Sequence, residues 1–158
     1  MELLQSLLAA FIGTGLMSRS SFTEMYWEGR PASVVPGQAT NQILKIFGVP
    51  EIEGRGLQIL SDYMHWILGV SWGVVFYLLV GVADLNLGVA GVLFFLIVWG
   101  SEQIYLPLLG LGIPWPWKWG KVEGQPYNWK YNLSDMFHHL VYAWGTVLGY
   151  WLIGLTHP

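Results

Sequence analysis

LQILSDYMHWILGVSWGVVFYLLVGVADLNLGVAGVLFFLIVWGSEQIYLPLL, residues 57–109, is the stretch that decides the fold. It holds two apolar runs, 57–82 and 87–109, and about 20 helical residues suffice to cross the roughly 30 Å of bilayer hydrocarbon. Only Ala83-Asp84-Leu85-Asn86 separates them, which leaves room for a tight turn and makes the two helices antiparallel neighbours. Pro107 is expected to end or bend the second run.

Two further segments extend this pattern. Residues 3–28 are apolar from Leu3 to Met17 and again at Phe22, Met25, Tyr26 and Trp27, with Ser18, Arg19, Ser20 and Ser21 between. Residues 134–156 form the other. The chain begins without the basic n-region and small-residue cleavage site of a signal peptide, so the first segment is expected to be retained. The expected fold is therefore all-α: one transmembrane domain over residues 1–158, an integral membrane four-helix bundle with helices at about 3–28, 57–82, 87–109 and 134–156.

Composition agrees. Of 158 residues, 54% are hydrophobic and 11% charged, a balance unsuited to a soluble domain of this size. There is no cysteine, which excludes disulfides, thiolate-bound zinc and a cysteine nucleophile; any metal would need histidine and carboxylate ligands. A net charge of −3, with no basic stripe, argues against nucleic acid as a partner. Ten tryptophans point to the lipid bilayer instead. No nucleophile elbow and no Gly-rich phosphate cradle is present, and nothing in the sequence requires turnover.

Two long loops, 29–56 and 110–133, join the helices. The first contains an amphipathic stretch, residues 38–47, with Ile43, Leu44, Ile46 and Phe47 clustered, expected to lie on the membrane surface. The second contains Ile113-Pro114-Trp115-Pro116-Trp117-Lys118-Trp119 and reads as an interfacial aromatic belt. Arg19, Arg30, Lys45, Arg55, Lys118, Lys121 and Lys130 all fall at or beyond one membrane face. The positive-inside rule then places both loops in the cytoplasm, with both termini, the Asp84 turn and His157 outside: an N-out/C-out, multi-pass protein of a plasma (bacterial inner) membrane.

The second and fourth helices share a pattern. Ser61-Asp62-Tyr63-Met64-His65 and Ser134-Asp135-Met136-Phe137-His138 open them, and Trp72-Gly73 and Trp144-Gly145 follow one residue out of register. Each also carries Gly-x-x-x-Gly, Gly69 with Gly73 and Gly145 with Gly149, so close packing between these two helices is expected.

Counting about 1.5 Å per residue from the outer ends sets Arg19, His65, Glu102 and His139 at similar depth, with Glu24, Asp62 and Asp135 about one turn lower. Glu102 sits inside an apolar run and should face the bundle with a partner. Asp62 with His65 and Asp135 with His138 are i, i+3 pairs on one helix face. Two helices giving a carboxylate each, Glu24 and Glu102, and two giving acid-x-x-His is the ligand plan of di-iron and di-manganese bundles. Here the motif acid is Asp and Arg19 is placed to neutralise one acid.

Three other readings stand beside it. A haem or chlorophyll-type pigment needs His65 and His138 or His139 facing each other. A proton or ion relay would run through Glu102, His65 and His139. In the purely structural reading, Arg19 pairs with Glu102, Ser61 and Ser134 cap their helices, and Asp62 and Asp135 serve as first-turn acids.

Asp135-Met136-Phe137-His138-His139-Leu140-Val141-Tyr142, with Leu111-Gly112-Ile113-Pro114-Trp115-Pro116 after the third helix, resembles the YagU-like family of bacterial inner-membrane proteins. The resemblance covers the second half of the chain. It implies four helices with an acid-x-Phe-x-His-Leu-Val-aromatic start to the last, Asp135 and His139 as the matching positions, and a link to acid tolerance without an assigned activity. The expected function is a small accessory or structural subunit of a larger membrane assembly, with other membrane subunits or further copies of itself as partners. The alternatives are a metal-, haem- or pigment-bearing redox protein and proton-linked transport.

Overall fold

The computed structural model describes residues 2–111, 121–122, 125–126 and 129–155. The chain is all-helical, with a two-residue antiparallel pairing of Lys121–Val122 with Gln125–Pro126 between its last two helices. The helices are α1 (Glu2–Glu28), α2 (Val35–Ile46), α3 (Gly54–Val82), α4 (Leu87–Leu108) and α5 (Trp129–Leu155). The Trp115 to Trp119 belt and His157 lie outside the described residues.

Four long helices run up, down, up and down. One end holds Glu2, the Asp84 turn and Leu155; the other, the polar end, holds the close of α1, the starts of α3 and α5, and Leu108. α1 packs on α3 and α5, while α4 packs on α5 and α3, closing a ring. Among the described residues, α3 and α4 are long and apolar enough to cross a membrane. α1 and α5 do not reach that standard, since serines, threonines and ionisable groups interrupt them.

Small residues set the ring's geometry. Ala9, Ala10, Gly13 and Thr14 of α1 are buried, and Gly13 and Ala9 meet Gly145 and Gly149 of α5 at Cα level: a Cβ on Gly145 would stand 3.2 Å from Gly13 Cα, and one on Gly149 3.2 Å from Ala9 Cα. Gly69 and Gly73 of α3 face the other flank of α1, where a Cβ on Gly73 would meet Ser6 O at 2.8 Å. Both Gly-x-x-x-Gly motifs thus serve the same partner, α1. The expected packing of α3 on α5 through these glycines gives way to α1 lying against both, because its Ala/Gly/Thr face is as slim as theirs.

The opposite side of the ring is filled by aromatics. Phe76 of α3, Phe94 of α4 and Tyr142 of α5 are buried, with Phe76–Phe94 centroids 5.2 Å apart near edge-on and Phe94–Tyr142 at 5.4 Å. Such pairs add about 0.5–1.5 kcal/mol each beyond area burial. Tyr142 donates its hydroxyl to Gly69 O at 2.6 Å, tying α5 to α3.

α3 and α5 begin further into the loops than the apolar runs indicate, at Gly54 and Trp129. Ser61 and Ser134 are therefore interior helical residues rather than caps: Ser61 donates to Ser33 O at 3.2 Å, and Ser134 donates to Glu24. α2 lies against α3, with Gly37 close to Leu57 O, and Asn41 bonds both Ile52 O (2.8 Å) and Ile52 N–H (3.2 Å). Ile43, Ile46 and Phe47 remain exposed.

α3 finishes in a π-turn, Leu78–Val82, closed by Ala83 N–H to Leu78 O at 2.9 Å. Asp84 then takes φ 52°, and Asn86 caps α4 by accepting from Val89 N–H at 3.0 Å. Pro107 stands one residue before the end of α4, which stops at Leu108.

Candidate functional site

Consecutive helical side chains point about 100° apart. At the polar end of α5 this sends the adjacent His138 and His139, both buried, to different neighbours: His138, with Ser134 one turn before it, faces α1, and His139, with Asp135 one turn before it, faces α4. The i, i+3 pairing expected of Asp135 with His138 is replaced by an i, i+4 pairing of Asp135 with His139, Oδ1 to Nδ1 3.4 Å.

On the α1 side, His138 Nε2 meets Glu24 Oε2 at 2.5 Å and Nδ1 meets Ser20 Oγ at 2.8 Å. The Ser20 hydroxyl hydrogen is already given to Met17 O at 2.8 Å, so the ring must donate from Nδ1. A proton then has to lie between Nε2 and Glu24, because two lone pairs would otherwise face each other. Ser134 also donates to Glu24. Gly29, at φ 63°, ends α1 and turns the chain back so that Arg30 reaches Glu24 (3.5 Å) and Glu28 (2.5 Å).

On the α4 side, His139 Nδ1–H donates to Asp135 O at 2.9 Å. Its Nε2 lies 2.9 Å from Glu102 Oε2, an ion-pair distance without hydrogen-bond alignment, and Glu102 Oε2 is a buried oxygen with no hydrogen-bond donor. Trp99 Nε1–H donates to Asp135 Oδ2 at 3.1 Å, and Tyr105 OH to Glu102 Oε1 at 3.5 Å. Donor atoms of Glu102, Asp135 and His139 all lie within 4.8 Å of one another.

α3 contributes a third, separate arrangement. Ser18 Oγ donates to Thr14 O at 2.8 Å, so His65 Nε2–H donates to Ser18 Oγ at 3.0 Å. Asp62 is exposed and accepts from Gln58 at 3.2 Å.

The seven expected acids and histidines thus divide into Glu24–His138, Glu102–Asp135–His139, and Asp62 and His65 apart. Glu102 does face a partner inside the ring, but that partner is His139. Arg19 is exposed and pairs with no carboxylate among the described residues, because α1 and α4 stand across the ring from each other. Arg30, from beyond the end of α1, takes the cationic place beside Glu24. The ring nitrogens that α1 engages, on His65 and His138, are occupied by Ser18, Ser20 and Glu24, which leaves His139 Nε2 as the one facing a carboxylate without an aligned bond.

Ser18, Ser20, Trp99 and Tyr105 are partners that the sequence reading did not single out, and Ser134, expected as a helix cap, is instead a partner of Glu24 and His138. One signal was available, since Ser134 and His138, and likewise Glu102 and Tyr105, stand one turn apart on helices. No family model, no curated protein and no solved structure matches the chain.

Proposed function

We propose that the chain is a polytopic membrane protein that serves as a small accessory subunit of a larger membrane assembly. The observation that carries the reading is the outward apolar surface of α3 and α4. In the most apolar windows of these two helices only 11% and 22% of the residues are buried within the protein. The core helix of a soluble protein would be mostly buried, so these flanks call for lipid or a protein partner. Ile59, Ile67, Leu68, Val74 and Leu78 on α3, and Val89, Val92, Leu96 and Ile97 on α4, are among the exposed side chains.

All four long helices cross the bilayer in this reading. α1 and α5 carry more polar groups than a lone span tolerates, but Thr14, Ser18, Ser20, His138 and Thr146 bond within the ring, as intramembrane polar groups must, while Ser6 Oγ is buried without a partner. The basic residues Arg30, Lys45, Arg55 and Lys130 at the polar end support a cytoplasmic location for that end, with α2 at the interface and both termini outside. The resemblance to YagU-like proteins belongs to the same reading. The polar groups of the four long helices pair mainly with one another, and the tightest contacts lie inside the ring, which leaves broad apolar flanks as the surface offered to partners.

Extraction from native membranes in a mild detergent, followed by native electrophoresis and mass spectrometry of the band, tests this. The expected result is a band several times larger than the 17.8 kDa chain, holding defined partner subunits. Recovery as a lone monomer after in-membrane crosslinking would overturn the accessory role, and release by alkaline carbonate would overturn the membrane reading.

A further inference from the structure

We infer that Glu102, Asp135 and His139 form a site for one divalent first-row metal ion of the Mn2+, Fe2+ or Zn2+ class. Three donors from two adjacent helices converge, with their ligand atoms within 4.8 Å of one another. Two ligand atoms each about 2.1 Å from one ion lie about 3.0 Å apart at a right angle and about 4.2 Å apart when opposite. The 2.9 Å between His139 Nε2 and Glu102 Oε2 fits the right-angle case.

The orientation of His139 supports an ion there. His139 commits its Nδ1–H to the Asp135 backbone carbonyl, which leaves Nε2 as the ring atom facing the Glu102 carboxylate. That is how metal-binding imidazoles are oriented, with the second nitrogen donating to a carbonyl or carboxylate. The His139 side chain is 9% exposed, and Glu102 Oε2 is buried without an aligned hydrogen-bond donor, so Nε2 and that carboxylate oxygen face each other away from water. A metal ion held by both would give the oxygen the partner it lacks.

The surrounding donors leave the right atoms open. Trp99 holds Asp135 Oδ2 and Tyr105 lies 3.5 Å from Glu102 Oε1, so Glu102 Oε2 is left for the ion, while Asp135 Oδ1, 3.4 Å from His139 Nδ1, has to turn toward it. A donor set of one imidazole and two carboxylates, with no cysteine in the chain, suits borderline and hard divalent ions rather than Cu(I). The Glu24–His138 pair is not part of the site, because Ser20, Ser134 and Arg30 already satisfy it.

The test is metal titration of the full chain in nanodiscs after stripping with a chelator, using Mn2+ followed by electron paramagnetic resonance and Zn2+ by competition. One equivalent is expected to bind. Affinity should fall at least tenfold in Glu102→Gln and in His139→Gln, and severalfold in Trp99→Phe, in line with the roughly 10–100-fold effect of outer-sphere partners. Glu24→Gln and His65→Gln should bind as the wild type does.

Metal should also raise the melting temperature of the wild type but not of Glu102→Gln, since only a ligand bound to the native state stabilises it. Asp135→Asn, nearly isosteric, gives the same readout should the histidine variant fail to fold. Absence of Mn2+ and Zn2+ binding to folded wild type, or equal affinity in Glu102→Gln and Asp135→Asn, would overturn the site.

Discussion

Gly13→Ala perturbs the contact on which the whole ring depends. A Cβ at position 13 would stand 2.6 Å from Tyr142 O and 3.0 Å from Thr146 N, both backbone atoms of α5 that cannot rotate away. An ordinary carbon–oxygen contact needs roughly 3.4 Å, so α1 and α5 must separate by somewhat under 1 Å, and overpacking of that kind costs about 1–3 kcal/mol. The same separation draws Ser20 and Glu24 away from His138, because all three sit further along this one interface.

Gly100→Ala is the matched control: nothing lies within 4 Å of its Cβ position, and it is also helical. That change should be neutral or stabilising by up to about 1 kcal/mol, since alanine is the better helix former. Reversible unfolding in mixed micelles, followed by circular dichroism, measures both. Equal stability of Gly13→Ala and Gly100→Ala would refute the close α1–α5 approach.

Other substitutions probe separate links. Asn41→Ala should strand the N–H and C=O of Ile52 and loosen α2 from α3, costing about 1–3 kcal/mol where those groups stay shielded; faster hydrogen exchange confined to residues 35–56 is the readout. Tyr142→Phe keeps the aromatic packing but removes the donor to Gly69 O, for a loss of about 1 kcal/mol in the same unfolding assay. Asp84→Gly should stabilise by about 0.5–1 kcal/mol, because φ 52° is costly for a residue with a Cβ and free for glycine.

Much of the helical order was legible because residues 57–109 combine two long, largely apolar runs with a four-residue turn, leaving one way to arrange α3 and α4. The helix starts at Gly54 and Trp129 were hidden, since both precede the apolar runs from which the helices were read. The glycine motifs were visible, but which helix they meet was not. Gly-x-x-x-Gly marks a slim face, and the matching Ala9/Gly13 face of α1 is written partly in alanine.

The polar residues were identifiable one by one because ionisable groups stand out in apolar helices. Their grouping was not, for it depends on the rotation of α5. A difference of 100° sends His138 to α1 and His139 to α4, and a spacing rule alone cannot say which histidine shares a face with Asp135 in the folded ring. Arg19 and Arg30 show the same limit. Arg19 is nearer the other charges along the helix, yet Arg30 reaches Glu24 because Gly29 reverses the chain.

The central claim is that this ring spans a membrane with its polar end inside. The chain has no cysteine, so single cysteines report without background. The most direct measurement places one at Ala83, beside the turn, and another at Glu51, between α2 and α3, and labels intact cells with a membrane-impermeant maleimide. Labelling of Ala83→Cys from outside, with Glu51→Cys reacting only after the cells are opened, is the predicted result. Labelling of both from outside, or of Glu51→Cys alone, would contradict the topology and the account that rests on it.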